Sequence, residues 1–127
     1  MSALVLDAGA FIAVDRDDRA MLARLRAAQQ HDLELVTNAN VVAQVWRDPR
    51  GRQANLARLF RAVDVRPIDE QAGRNAGQLL GRAEMADVID ATLVLVARAG
   101  DRIVTSDPDD IRQLARAAQL RVAVVAC

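Results

Sequence analysis

Five short apolar runs, each of strand length, alternate along this chain with segments that carry apolar residues at helical spacing. The runs are residues 3–6, 33–36, 63–66, 102–105 and 121–125. Because strands that alternate with helices pair in parallel, this order predicts an α/β fold with a central parallel sheet and helices on both faces. Such a three-layer α/β/α arrangement of about five short strands suits a single domain over residues 1–127.

The segments between these runs are predicted as helices. They are residues 8–14, 19–30, 41–47, 52–62, 69–82, 87–100 and 108–118. In the fifth helix, Gly73, Gly77 and Gly81 lie four residues apart on one face. Each glycine costs roughly 1 kcal/mol of helix stability relative to Ala. We therefore expect this face to pack closely against a neighbouring element.

Missing residue types exclude several chemistries. The basic residues are all arginine, so a P-loop lysine and a lysine Schiff base are excluded. A single cysteine, Cys127, forms neither an internal disulfide nor a cysteine-based metal site. No apolar run approaches the roughly 20 residues of a membrane span, and no secretory signal is apparent at the N-terminus. We expect a cytoplasmic protein without a membrane partner.

Aspartates follow two of the predicted strands directly. Asp7 follows the first strand, and Asp107 follows the fourth. Ligands of open parallel sheets bind outside the carboxyl ends of the strands, so both side chains are expected at the ligand edge. A second interpretation is helix capping, since Asp107, Pro108 and Asp110 match the N-cap, N1 and N3 preferences of a helix. Asp7 could equally cap the helix that follows it.

A second pair of aspartates begins the helix after residue 86. Asp87 and Asp90 are three residues apart and share a helix face, where first-turn acids also stabilise the helix dipole. Asp90 lies among apolar neighbours, so burial should leave its carboxylate in need of a partner. No His or Cys is near in sequence, which excludes a zinc-type site and favours an all-oxygen site for Mg²⁺ or Mn²⁺. Such a site implies phosphodiester hydrolysis without a protein nucleophile.

These residues carry a resemblance to a known family. Asp7 after the first strand, the segment DVIDA at 87–91 and the segment IVTSDPDDI at 103–111 resemble a PIN-domain ribonuclease of the VapC type, the toxin of VapBC toxin–antitoxin pairs. The resemblance covers essentially the whole chain and implies a PIN-like fold that binds Mg²⁺ or Mn²⁺ and cleaves RNA. It also implies a small DNA-binding antitoxin as partner, and a homodimer. By the same resemblance, the catalytic and metal-binding residues are Asp7, Asp90 and Asp107, with accessory roles for Asp87, Asp109, Asp110, Gln44, Thr105 and Ser106.

One position departs from the family pattern. Relatives usually carry a Glu on the helix after the second strand, where this chain has Gln44. An amide offers a carbonyl oxygen but no charge, so metal affinity should be weaker. Two interpretations stay open: a variant ribonuclease in which Asp87 or Asp110 compensates, or a catalytically degenerate PIN-fold module that acts mainly through partner binding.

A local excess of arginines marks a candidate RNA-binding surface. Residues 45–66 hold six arginines against two aspartates, although the whole chain has no net charge. This surplus favours contact with phosphates, while a solvated helix face would explain it equally well. The predicted RNA-binding residues are Arg47, Arg50, Arg52 and Arg58.

Overall fold

The computed structural model describes residues 2–127, and it confirms the α/β class. Five parallel strands form one sheet in the order β3-β2-β1-β4-β5. The strands are β1 (Ala3–Leu6), β2 (Glu34–Asn38), β3 (Val63–Arg66), β4 (Arg102–Thr105) and β5 (Ala123–Ala126). The helices are α1 (Ala8–Asp15), α2 (Arg19–Gln30), α3 (Ala39–Val45), α4 (Ala54–Phe60), α5 (Glu70–Ala83), α6 (Val88–Val94) and α7 (Pro108–Ala117). None of the helices in this described part is long and apolar enough to cross a bilayer.

The two faces of the sheet are covered by different helices. Leu4 of β1 and Val104 of β4 line a cavity together with Ala28 of α2, so even-numbered residues of β1 point towards α2. Side chains alternate along a strand, so Val5 and Asp7 point to the opposite face, which α6 covers. We call these the α2 face and the α6 face. The distinction decides which side chains lie near Asp7.

The core lies on both sides of the sheet. Phe11, Leu56, Leu79, Leu93 and Ile103 are fully buried. Phe11 of α1 stacks on Phe60 of α4, with ring centroids 5.0 Å apart. An aromatic pair of this kind stabilises the fold by about 0.5–1.5 kcal/mol beyond the contribution of its buried area. This packing holds α1 in place, and α1 begins directly after Asp7.

The helix predicted over residues 87–100 is shorter than expected. It spans Val88–Val94, and the chain then turns through residues 95–100, with Gly100 at a φ of 92°. The buried carboxylate of Asp101 accepts a hydrogen bond from the Arg98 N–H and another from the Ala3 N–H, both at 2.8 Å. Asp101 therefore closes the turn after α6 and ties it to the first residue of β1.

Other boundaries shift by a few residues. Strand β2 runs on to Asn38, whose side chain caps α3 by accepting a hydrogen bond from the Val41 N–H at 3.1 Å. Helix α4 begins only at Ala54, because the buried side chain of Gln53 holds the preceding loop. Gln53 Oε1 accepts from the N–H groups of Arg47 and Asp48, and its Nε2 donates to the Val45 carbonyl.

The prediction of close packing at the glycines of α5 is wrong. A Cβ added at Gly73, Gly77 or Gly81 would meet no atom within 4 Å, and all three residues are exposed. The apolar face of α5 instead uses Ala76 and Leu79, which are buried. The glycine face is thus on the solvent side of the helix, where the propensity cost of glycine has no packing compensation within the chain.

Candidate functional site

Two of the predicted site residues lie where the topology of the sheet changes direction. Strands β1 and β4 are neighbours, yet the chain leaves β1 towards β2 and leaves β4 towards β5. Such a switch point opens a crevice at the carboxyl ends of the two strands, where α/β proteins bind their ligands. Asp7 follows β1 and Asp107 follows β4, so both residues flank this crevice.

Hydrogen bonds hold the carboxylate of Asp7 in place. Asp7 is 6% exposed, and its Oδ1 accepts from the Ala8 N–H at 2.7 Å. Its Oδ2 accepts from the Thr105 hydroxyl, also at 2.7 Å. The same hydroxyl oxygen accepts from the Asp107 N–H at 3.0 Å. Thr105 thus connects the two acids at the strand ends, whereas Ser106 is exposed beside Gly9.

Asp90 brings a third carboxylate to the crevice from α6. It is 6% exposed, and burial raises the pKa of its carboxyl group from 3.8 to about 7, with further contributions from the charges of Asp87, Asp7, Asp107 and Asp110. Within residues 2–127, no basic group offsets this effect at Asp90. The crevice is therefore a cluster of mutually repelling carboxylates without a cation of its own, which we call the acidic pocket (Asp7, Asp87, Asp90, Asp107 and Asp110).

Capping roles differ among these acids. Asp87 Oδ1 accepts from the Asp90 N–H at 3.0 Å, so Asp87 caps α6 and adds its charge to the acidic pocket. Asp107 occupies the N-cap position of α7 but makes no side-chain capping bond. Its carboxylate is exposed at the rim of the crevice. The capping interpretation thus describes Asp87 and also Asp7, which is the N-cap of α1 and accepts from the Ala8 N–H. It does not account for the carboxylate of Asp107.

Asp109 is not brought into the acidic pocket. Its side chain is 99% exposed and pairs with Arg112 at 3.4 Å. It also makes no contribution to the raised pKa of Asp90. Asp110, one residue further along α7, does contribute, so it is the member of this first turn that faces the crevice.

The donor atoms of the acidic pocket suit a hard divalent cation. In the described range 2–127, no three Asp, Glu, His or Cys side chains lie close enough together to enclose a metal ion by themselves. Mg²⁺ is usually held by one or two carboxylates and keeps several waters. Asp7 and Asp90 are both buried beside the crevice, and their carboxylate oxygens fit this requirement. The chemistry of the pocket therefore fits Mg²⁺ or Mn²⁺ with a largely hydrated coordination shell.

Two amide side chains near the pocket, those of Gln44 and Asn38, each have a buried atom without a hydrogen-bond partner. Gln44 lies on α3, one helical turn after Asn40, whose side chain donates to the Thr92 hydroxyl of α6 at 3.1 Å. The buried Oε1 atom of Gln44 has no hydrogen-bond partner in the described chain. An unpartnered buried acceptor costs about 1–3 kcal/mol, so a local donor or cation would relieve it.

The second amide is Asn38, which was not among the predicted site residues. It is fully buried. The register Val5↔Val36, continued by two residues, places it opposite Asp7 on the α6 face. Its Oδ1 caps α3, while its Nδ2 has no partner among the described residues. The sequence predicted the end of this strand at Val36, whereas β2 runs on to Asn38. The signal that could have identified Asn38 is its place as a polar residue between the apolar run and the helix that follows.

The predicted RNA-binding arginines are spread over a different region. Arg47, Arg50 and Arg52 are exposed in the loop that Gln53 holds. Arg58 of α4 lines a cavity with Leu25 of α2, which places it on the α2 face. Asp90 is on the α6 face, so the sheet separates Arg58 from the acidic pocket.

Comparison with known proteins finds likenesses among solved structures. No family model matches the sequence, and no curated protein matches it. A chain in the crystal structure of VapBC2 from Rickettsia felis, bound to a DNA fragment from their promoter, superimposes with a TM-score of 0.69. The alignment covers 98% of both chains at 12% sequence identity. At this identity the likeness concerns the fold, and it confirms the PIN-like α/β architecture.

Proposed function

We propose that this chain is a metal-dependent endoribonuclease and the toxin of a type II toxin–antitoxin pair. The observation that carries the proposal is the buried carboxylate of Asp90, which lies among four other acids at the switch point without a compensating cation. Structural groups are rarely kept in such a state, because each repulsion lowers stability, whereas functional sites use it to attract a ligand. The PIN-like fold supports the same assignment.

The chain's own residues have distinct roles in this proposal. Asp7 and Asp90 would hold Mg²⁺ or Mn²⁺, and Thr105 orients Asp7 through its hydroxyl bond. The bound cation would neutralise phosphate charge and lower the pKa of a coordinated water, the nucleophile of the hydrolysis. Asp107 is exposed at the rim, where it would face the substrate. Asp87 and Asp110 add negative charge that strengthens cation binding.

The proposal includes a partner and an assembly. A small DNA-binding antitoxin would cover the toxin, and two copies of the chain would form a homodimer in the cytoplasm. The similarity to a chain of a VapBC complex supports the antitoxin as partner. Co-expression with the neighbouring small reading frame, followed by size-exclusion chromatography with light scattering, measures both features.

Cleavage assays test the proposal directly. With single-stranded and structured RNA, we expect cleavage in Mg²⁺ or Mn²⁺ that EDTA abolishes. Asp7→Asn should lower the rate by about 100-fold or more, since it removes a carboxylate ligand of the cation that would neutralise the reacting phosphate. Asp32→Asn, an equal loss of charge at an exposed residue outside the crevice, serves as control and should leave the rate unchanged. Absence of EDTA-sensitive cleavage by the wild type, or full activity of Asp7→Asn, contradicts the proposal.

A second candidate function is a degenerate PIN-like module that acts through partner binding. Gln44 favours it, because its buried amide oxygen supplies no charge to the acidic pocket. The two candidates make opposite predictions for Gln44→Glu. If the wild type is a ribonuclease, the substitution should tighten Mn²⁺ binding about tenfold and change cleavage modestly, since an added carboxylate supplies one more charged oxygen ligand.

Isothermal titration with Mn²⁺ and the cleavage assay together distinguish these outcomes. Cleavage that appears only in Gln44→Glu supports the degenerate module. Gln44→Asn is the matched control, because it retains the amide and shortens the side chain.

A further inference from the structure

A basic cleft lies beside the acidic pocket on the same face of the sheet. It is a cavity of about 360 Å³ between the end of β3, the start of α5 and the end of α6. Its polar lining residues are Arg66, Asn75, Thr92 and Arg98, and none of the described residues that line it is acidic. We call it the basic cleft, and it is separate from the predicted arginines at positions 47–58.

The strand register connects the cleft to the acidic pocket. Arg66 pairs with Asn38 across β3 and β2. The register of β1 with β2, continued by two residues past Val5, places Asn38 opposite Asp7, the residue that follows β1. Residues paired in this way point to the same face, so Arg66 shares the α6 face with Asp7. Neighbouring strands are about 4.8 Å apart, which places the end of β3 about 10 Å from the end of β1.

Helix α6 contributes residues to both the basic cleft and the acidic pocket. Thr92 and Leu95 both line the cleft, and Asp90 lies on the same helix. With a rise of about 1.5 Å per residue, these two residues lie about 3 Å and 7.5 Å along the axis from Asp90. The cleft therefore begins within the length of one or two nucleotides from the acidic pocket.

The donors in the cleft are available for an anion. Arg66 pairs with Asp64 through Nε alone at 2.7 Å, which leaves its terminal amino groups for other acceptors. Within residues 2–127, Arg98 forms no ion pair. Asn75 Oδ1 accepts from Gln71 Nε2, so the Asn75 Nδ2 group remains a donor. Two guanidinium groups and an amide are the groups that bind phosphate oxygens most effectively.

We propose that the basic cleft binds a backbone phosphate of the RNA strand whose neighbouring bond lies over Asp90. This inference rests on the proposed ribonuclease function and specifies where its substrate runs. The arrangement also explains how a chain of zero net charge binds a polyanion next to five carboxylates. Attraction at the cleft offsets repulsion at the pocket, and the strand is held by a contact beside the bond that is cut.

The test measures binding of a fluorescein-labelled single-stranded oligoribonucleotide by anisotropy, in the Asp90→Asn background to prevent cleavage. The double variant Arg66→Gln, Arg98→Gln should weaken binding about tenfold at low salt. It should also reduce the slope of log Kd against log salt by about 1.4, since each lost contact to a single strand contributes about 0.7. The control is Arg19→Gln, Arg26→Gln, an equal loss of charge on exposed positions of α2.

Each outcome decides the inference. A reduced salt slope in the cleft variant, with the control unchanged, supports it. An unchanged slope in the cleft variant, together with a loss of binding in Arg58→Gln, overturns it and leaves the ribonuclease proposal intact. Binding of inorganic phosphate or AMP to the cleft without binding of the oligonucleotide overturns it as well. Failure of any variant to bind RNA, together with a wild type that does not cleave, overturns both proposals. Both cleft arginines are partly or fully exposed, so the variants should fold, and circular dichroism checks this.

Discussion

Asp90→Asn is expected to make the protein more stable, and the gain should increase with pH. In the folded chain the pKa of Asp90 is raised from 3.8 to about 7, so the folded state binds more protons than the unfolded state between these values. Stability of the wild type therefore falls as the pH rises through this window. Asn carries no charge and escapes this loss. From pH 5 to pH 8 the stability difference between variant and wild type should widen by about 2–3 kcal/mol.

Urea unfolding at several pH values measures this effect. Asp32→Asn, at an exposed residue outside the acidic pocket, is again the matched control. A difference between Asp90→Asn and wild type that stays constant from pH 5 to pH 8 would show that burial and the neighbouring acids do not raise the pKa of Asp90.

The same variant reports on the cation. Binding of Mn²⁺ to the folded state alone stabilises it by about 2.7 kcal/mol at 100 times the dissociation constant. We expect Mn²⁺ at pH 8 to raise the Tm of the wild type by several degrees and to leave that of Asp90→Asn nearly unchanged. Equal shifts in both proteins would place the cation elsewhere. This measurement requires no RNA and no catalytic activity.

Asp101→Ala is expected to be the most destabilising single substitution among the buried acids. The Asp101 carboxylate accepts hydrogen bonds from the backbone N–H groups of Ala3 and Arg98, both at 2.8 Å. Hydrogen bonds to a charged group contribute about 1.5–3 kcal/mol each, so their loss should lower the free energy of unfolding by about 3–5 kcal/mol. Thermal and urea unfolding measure the loss.

Asp101→Asn separates the charge from the geometry. Its amide oxygen can keep one of the two bonds, so we expect it to lose about half as much stability as Asp101→Ala. Binding of Mn²⁺ at the acidic pocket, on the opposite edge of the sheet, should be retained in the fraction that remains folded. A loss below 1 kcal/mol in Asp101→Ala would show that water replaces the carboxylate without cost.

Much of the fold follows from local sequence. Helix α2 spans Arg19–Gln30 and strand β4 spans Arg102–Thr105 as predicted, because each is bounded by residues with clear local preferences. Asp18 caps α2 through a bond to the Met21 N–H, and β4 lies between the turn at Gly100 and Pro108. Because local preferences set these boundaries, a pattern within a few residues was sufficient to predict them.

Features that depend on distant contacts were not predicted. The early end of α6 depends on Asp101, whose second hydrogen bond reaches Ala3, 98 residues away in sequence. The solvent-facing glycines of α5 were wrongly assigned to an interface, because periodicity shows that residues share a face but not what covers it.

The acids of the site were predicted from the sequence, whereas the basic cleft was not. Asp7, Asp90 and Asp107 follow strands or begin a helix, and the parallel topology alone brings such positions to one edge. The structure places these three acids at the crevice, while their binding of a metal remains a prediction. The basic cleft combines Arg66 with Arg98, which only the crossing of α6 over the sheet brings together.

The two ends of α6 should open at very different rates. At its start, the Asp90 N–H is held by a carboxylate that also repels the side chain of Asp90, so fraying there relieves charge. After its end, the Arg98 N–H is bonded to Asp101, which is tied to β1. Amide hydrogens should therefore exchange with solvent faster at Asp90 than at Arg98, and the difference should grow with pH beyond the intrinsic rate. A cation bound in the pocket would slow amide exchange at Asp90 selectively. The exchange rate at Asp90 would then report on cation binding, and the rate at Arg98 on the global stability of the fold.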